Sequence, residues 1–230
     1  MDRPILFSGP MVRAILDGRK TQTRRVLKLG NRLPDYIGPR GCTDDPSCWG
    51  WSDDERGDYW LVKRGESDKG CLDWSDWAGA YQVGDRLWVR ETFSYECLDV
   101  DRDGILPPWY WADGNPSSGD FTRPKPSIHM PRWASRLTLI VTDVRVQRLQ
   151  DIREADAVAE GIYEWEPRDA DGMRHFGLPE LGVSCPTAAR GFMWLWDSLN
   201  ESRGFGWKAN PWVCAVTFTA HQHNIDRGPA

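Results

Sequence analysis

The 230-residue sequence predicts a small mixed β-barrel of the α+β class, with a few flanking helices and long loop insertions. Three observations carry that expectation. Strand signals outnumber helix signals and read in the order β-α-β, β, β-α, α-β, so the helices are expected to flank or plug an enclosing sheet. Stretches dense in Gly, Pro, Asp and Trp interrupt the order at about 30–81, 95–130 and 163–186. No segment repeats at a fixed period, which excludes a solenoid. The length fits one domain with insertions, 1–230.

The elements follow from local signals. Ile5-Leu6-Phe7 is a short buried strand. Ser8 is a candidate cap, Pro10 suits a first helical turn, and Gly18 stops the helix, whose inner face is Val12, Ile15 and Leu16. Thr21 to Leu27 is rich in β-branched residues and reads as extended. Val83-Gly84-Asp85 makes a turn into Arg86–Phe93, which alternates apolar and polar side chains. Leu137–Val146 is the clearest strand. Asp151 and Glu154 form a capping-box pattern for a helix to Glu160, ended by Gly161. Thr187 caps a helix whose face carries Phe192, Leu195, Trp196 and Leu199. Trp212–Thr219 is the closing strand.

Composition narrows the function. A net charge of −5 argues against a protein that coats nucleic acid electrostatically. Residues 12–40 nevertheless hold eight basic side chains against Asp17 and Asp35. They form either a patch facing an anionic ligand or a solvated Arg-rich face. The six cysteines contain no C-x-x-C pair, and free thiols are expected; Cys214 reads as a core residue, and Cys42 and Cys48 lack the partner pair that structural zinc needs. Met1-Asp2-Arg3-Pro4 lacks the layout of a signal peptide and no run approaches a membrane span, so a cytosolic protein is expected. Phosphate-loop, dinucleotide, nucleophile-elbow and zincin motifs are absent.

Leu16-Asp17-Gly18-Arg19-Lys20-Thr21-Gln22-Thr23-Arg24-Arg25 leaves a helix and enters a strand. Lys20 and Thr23 face opposite sides of a straight strand and converge only if the chain bends at the Gly18 exit. A lysine made neutral by burial and by cationic neighbours then activates the threonine hydroxyl. An ordinary exposed turn fits the same spacing.

The segment from Ile15 to Arg25 resembles the G-[RK]-K-T-x-T-x-R signature of ASCH domains, members of the PUA-like superfamily. Val83-Gly84-Asp85-Arg86-Leu87, Ala157-Val158-Ala159-Glu160-Gly161-Ile162 and Pro211–Phe218 resemble later markers of the family, and the likeness covers about 4–28, 82–93, 136–162 and 188–219. Phe7-Ser8-Gly9-Pro10-Met11-Val12 and His129-Met130-Pro131-Arg132-Trp133 are similar to larger phage-type members.

The resemblance implies a PUA-like (ASCH) barrel. One branch of the family removes acyl groups from the exocyclic amine of N4-acylcytidines with a lysine base, a threonine nucleophile and a glutamate proton donor. By motif position these are Lys20, Thr23 and Glu160, and Arg25 matches a further arginine near the site. The expected activity is that of a nucleoside-level amidohydrolase requiring no cofactor and no metal. Other branches bind RNA or act as ribonucleases, so a non-catalytic RNA or modified-base module is the alternative. Arg24, Arg132 and Trp133 join Arg25 as expected substrate-binding residues, Trp133 as a stacking platform or as packing. Of the fourteen tryptophans, Trp88, Trp194, Trp196 and Trp212 are expected in the core. Trp49, Trp51, Trp60, Trp74, Trp77, Trp109 and Trp111 are expected to fasten the insertions to the barrel.

Overall fold

The computed structural model describes residues 1–27, 81–97, 108–165, 174–178 and 182–227 in full, with the backbone alone of strands at 35–36, 49–53, 58–63 and 71–73. In chain order the first half holds β1 (Asp2–Leu6), α1 (Gly9–Leu16), β2 (Gln22–Val26), β3 (Asp35–Tyr36), β4 (Trp49–Asp53), β5 (Asp58–Lys63) and β6 (Cys71–Asp73). There follow β7 (Arg86–Arg90), β8 (Phe93–Ser94), β9 (Trp109–Tyr110) and β10 (Thr138–Arg148). The chain continues with α2 (Glu154–Ala159), β11 (Tyr163–Trp165), β12 (His175–Leu178), β13 (Val183–Cys185), α3 (Ala188–Asn200) and β14 (Trp212–His221).

The architecture is α+β, with several sheets and few helices. The main sheet runs β1-β7-β10-β14-β2. Only β1 and β7 are parallel; the other neighbours are antiparallel. The expected closed barrel is not found among the described residues: no ladder joins the two edge strands, β1 and β2. Pro4 in β1 lacks the N–H of a ladder donor and suits an edge position. The two edges meet instead through a side chain, Arg25 Nη2 donating to the Leu6 carbonyl at 2.9 Å.

One hydrophobic core joins α1 (Met11, Val12, Ile15), the sheet (Ile5, Leu87, Leu139, Val213, Val216) and α3 (Phe192, Leu195, Trp196). Helix α1 buries the face its spacing predicts and ends at Gly18 with φ +72°, although Ser8 makes no side-chain cap bond. Thr187 caps α3 as expected, accepting from the Arg190 N–H. The capping box expected at Asp151 and Glu154 does not form. Glu154 instead accepts from the Ala188 and Ala189 N–H groups at the start of α3, where a carboxylate meets the positive end of the dipole. Cys214 is buried as expected, and burial pushes its thiol up to about 12.

The stretches read as irregular contain sheets. Residues 163–186 hold the antiparallel sheet β11-β12-β13, which packs on α3. Within 30–81 lies the sheet β3-β4-β5-β6. Its strand β5 carries Tyr59-Trp60-Leu61-Val62, a β-favouring run hidden by the surrounding Gly and Asp. In the 95–130 stretch, Trp111 donates to Ser94 Oγ, and Arg13 of α1 holds the Ala112 carbonyl at 3.0 Å. Trp88, Trp196 and Trp212 are buried as expected, but Trp194 points outward and is 49% exposed. Position 194 falls off the 192/195/196 stripe, which is why the helix turns it away from the core, while Leu199, expected on the same face, is 54% exposed. Cys42, Cys48, Trp74 and Trp77 lie outside the described residues. No helix among the described residues is long and apolar enough to cross a membrane.

The β12–β13 pair depends on a glycine. A Cβ at Gly177 would lie 1.9 Å from the Val183 carbonyl oxygen, and one at Gly191 of α3 would lie 3.3 Å from Gly177 Cα. Gly177→Ala is expected to cost about 2–3 kcal/mol through overpacking. Thermal denaturation checks this, and an unchanged Tm refutes it.

Candidate active site

Lys20 and Glu160 are 140 positions apart in the chain, and the backbone brings them together. The exit of α1 turns back on itself, with the Arg19 and Lys20 N–H groups both donating to the Ala14 carbonyl. The Thr21 N–H then donates to Ala159 O at the end of α2, and Thr21 O accepts from Phe218 of β14. Gly161, at φ +99°, makes the approach possible. A Cβ there would stand 3.3 Å from Ala14 Cβ and 3.4 Å from Lys20 Cβ, so a side chain would be both strained and crowded.

Lys20 Nζ donates to three oxygens: the Gln22 carbonyl at 2.8 Å, the Glu160 carbonyl at 2.7 Å and Glu160 Oε2 at 2.9 Å. Lys20 is 2% exposed and Glu160 3%. The other carboxylate oxygen, Oε1, accepts from Arg24 Nη1 at 2.9 Å. Arg24 Nη1 also donates to Gln22 Oε1, and its Nη2 lies 3.4 Å from Asp156 Oδ2. Asp156 sits four residues before Glu160 on α2 and is further paired with Arg145 of β10 at 2.8 Å. Gln22 completes the cluster, with Nε2 donating to Thr217 Oγ1 and to Asp156 Oδ1.

The electrostatics follow from burial. Desolvation holds the Lys20 ammonium below the ordinary lysine value of 10.5, Glu160 opposes that shift, and Arg25 and Arg24 reinforce it. Burial pushes the Asp156 carboxyl up, but hydrogen bonding to Arg145, with the charges of Arg145 and Arg24, carries the net shift below 3.8.

Lys20, Arg24 and Glu160 line a cleft of about 870 Å³. Its lining includes Lys20, Thr23, Arg24, Arg25 and Glu160 together with the apolar Leu195, Trp196, Leu199 and Phe205. Thr23 is 2% exposed, on β2 opposite Val216 of β14. Among the described residues no hydrogen bond joins its hydroxyl to Lys20, whose three N–H donors are taken by other oxygens. Catalytic hydrogen bonds are often absent before substrate enters.

Of the expected site residues, Lys20, Thr23, Glu160, Arg24 and Arg25 share this cleft, while Arg132 and Trp133 do not line it. Arg132 is spent on Asp226 and Asp2. Trp133 is 45% exposed and stacks on Tyr95 with centroids 6.1 Å apart. Arg24 lines the cleft, yet its side chain is 0% exposed and bound by two carboxylates. Arg25 stands 5.2 Å from the Phe7 ring. Sequence reasoning missed Gln22 and Asp156. The four-residue spacing of Asp156 and Glu160 on one helical face was the available signal. Among the described residues no three of His, Cys, Asp and Glu come together as a metal-holding group. Searches of family models, curated proteins and solved structures find no match for this chain.

Proposed function

We propose that the protein is a cytosolic amidohydrolase of PUA-like, ASCH type that removes the acyl group from the exocyclic amine of N4-acylcytidines. The observation that carries the reading is the buried 2.9 Å Lys20–Glu160 pair in a cleft also lined by Thr23. The motif resemblance from Ile15 to Arg25 supports it independently of the geometry.

The pair supplies both catalysts in one proton shift. Moving the proton from Lys20 Nζ to Glu160 Oε2 turns an ion pair into an amine and a carboxylic acid, and burial favours the uncharged form of each. In the neutral state the amine keeps its two N–H bonds to the carbonyls, and its lone pair is free for the Thr23 proton once the Glu160 acid turns its own proton to the leaving amine. In acylation Thr23 Oγ attacks the acyl carbonyl and gives its proton to the Lys20 amine. Glu160 protonates the departing cytosine amine, leaving an acyl-threonine and the ion pair. In deacylation Glu160 takes a proton from the attacking water and Lys20 returns one to Thr23. The carboxylic acid leaves and the neutral pair is restored.

Incubation with N4-acetylcytidine in EDTA, followed by chromatography, is expected to yield cytidine. No cytidine together with measurable RNA affinity overturns the reading in favour of a binding module. That alternative has an observation of its own: Trp133 is half exposed on Tyr95, with Lys125 4.5 Å above the Tyr95 ring.

The apolar wall of the cleft predicts acyl preference. Leu195, Trp196, Leu199 and Phe205 offer surface to an acyl chain at about 25 cal/mol per Å² buried. N4-butyryl- and N4-benzoylcytidine are therefore expected to be cleaved with kcat/KM at least equal to that of the acetyl compound. A steep, steady fall with acyl size refutes this.

A further inference from the structure

Gln22 and Arg24 occupy the two variable positions of the motif, so the resemblance gives neither of them a role. Their geometry does. Arg24 reaches Glu160 Oε1 at 2.9 Å while Lys20 reaches Oε2 at 2.9 Å, so each carboxylate oxygen has a different cation. Arg24 is itself fixed from two directions. Gln22 Oε1 accepts from its Nη1 at 2.7 Å, and Asp156 Oδ2 stands 3.4 Å from its Nη2. Asp156 is in turn anchored from across the sheet by Arg145. Asp156 and Glu160 lie one helical turn apart, so α2 presents both carboxylates to one guanidinium.

We propose that Arg24, clamped by Asp156 and Gln22, is a positioning residue that holds Glu160 Oε1 and thereby confines proton exchange to Oε2, facing Lys20. The proposal rests on the amidohydrolase reading for its kinetic consequence, though not for its structural one. A guanidinium stays protonated, so a carboxylate oxygen bound to it has no proton to receive from that side. Without Arg24 the carboxylate is free to rotate, and its two oxygens become equivalent toward Lys20. Arg24 also acts on Lys20 directly as a second cation, and Glu160 then answers to Lys20 alone when Arg24 is gone. Both effects move the lysine in one direction, toward holding its proton. The charged groups facing the pair are Arg24 and Arg25 from β2, with the Phe7 ring 5.7 Å from Nζ. Those facing Asp156 are Arg24 and Arg145, with the Arg153 N–H.

The rival role is direct contact with substrate, for which Arg24 Nε and Nη2, neither of them hydrogen-bonded in the structure, are the remaining donors. The two roles separate kinetically. For Arg24→Met, positioning predicts a fall in kcat of about 100-fold, with KM within threefold of the parent. The limb of the pH–rate profile that Lys20 sets moves to higher pH. Arg24→Lys restores most of the limb, and Asp156→Asn, which leaves every cation in place, lowers kcat by about tenfold. A rise in KM with an unmoved limb overturns the proposal. Titration of the Lys20 ammonium by ¹⁵N NMR tests the same point without substrate. An upward shift in Arg24→Met is expected, and unchanged titration in that folded variant overturns it. If the parent protein hydrolyses no N4-acylcytidine, the amidohydrolase reading fails while the NMR result still decides the positioning role.

Discussion

Thr23→Ala is expected to lower kcat on N4-acetylcytidine by about 10⁴-fold or more, the scale of losing a nucleophile. The fold should persist. Thr23 pairs with Val216 through its backbone, which alanine reproduces, and the hydroxyl makes no hydrogen bond to Lys20 that the fold would lose. Thr23→Ser keeps the oxygen and is expected to retain part of the activity, with serine free to sample more rotamers. An acyl-enzyme trapped on the parent protein and absent from Thr23→Ala, seen by mass spectrometry, checks the covalent step. Near-normal turnover of the alanine variant makes water the attacking group and removes Thr23 from the chemistry.

Lys20→Arg has the second large effect. Arginine keeps the positive charge and the ion pair with Glu160, but its guanidinium does not deprotonate in the working pH range. Turnover is expected to fall by about 10³-fold or more, and the high-pH limb of kcat/KM set by the lysine to disappear. Lys20→Met tests the same role by removing the charge, and leaves Arg24 to hold Glu160. In the parent the active pair carries one proton, so activity is lost as pH rises through the lysine value, which burial places below 10.5. Stability carries the opposite sign. Between the lowered folded value and 10.5 the unfolded chain holds the extra proton, so stability increases as pH rises through that window and is lost as pH falls. Lys20→Met is expected to flatten that slope in urea titrations at successive pH values. Substantial activity in Lys20→Arg would reduce Lys20 to an electrostatic aid.

Local chemistry wrote much of this molecule into the sequence. The spacing of Val12 and Ile15 set the buried face of α1, Gly18 ended it, and Thr187 capped α3, because each depends on residues within one or two turns. The same holds for Lys20 and Thr23, which one short motif delivers to one cleft. Asp151 and Glu154 show where local reasoning stops: they matched a capping box, and Glu154 went to the start of α3 because that helix end, remote in sequence, came within reach. Strands β11–β13 were hidden because their signals are three or four residues long and lie among turn formers. What only tertiary structure decided is the meeting of distant parts. Arg24 reads as one more cation in a basic stretch until α2 brings Asp156 and Glu160 around it. The sheet stayed open because ladder closure depends on how edge strands meet in space, and pattern alone leaves that undetermined. The lysine and its acid meet where the backbone at Gly161 takes φ +99°, a conformation L side chains rarely adopt, and that condition becomes visible only once both segments occupy the same few ångströms.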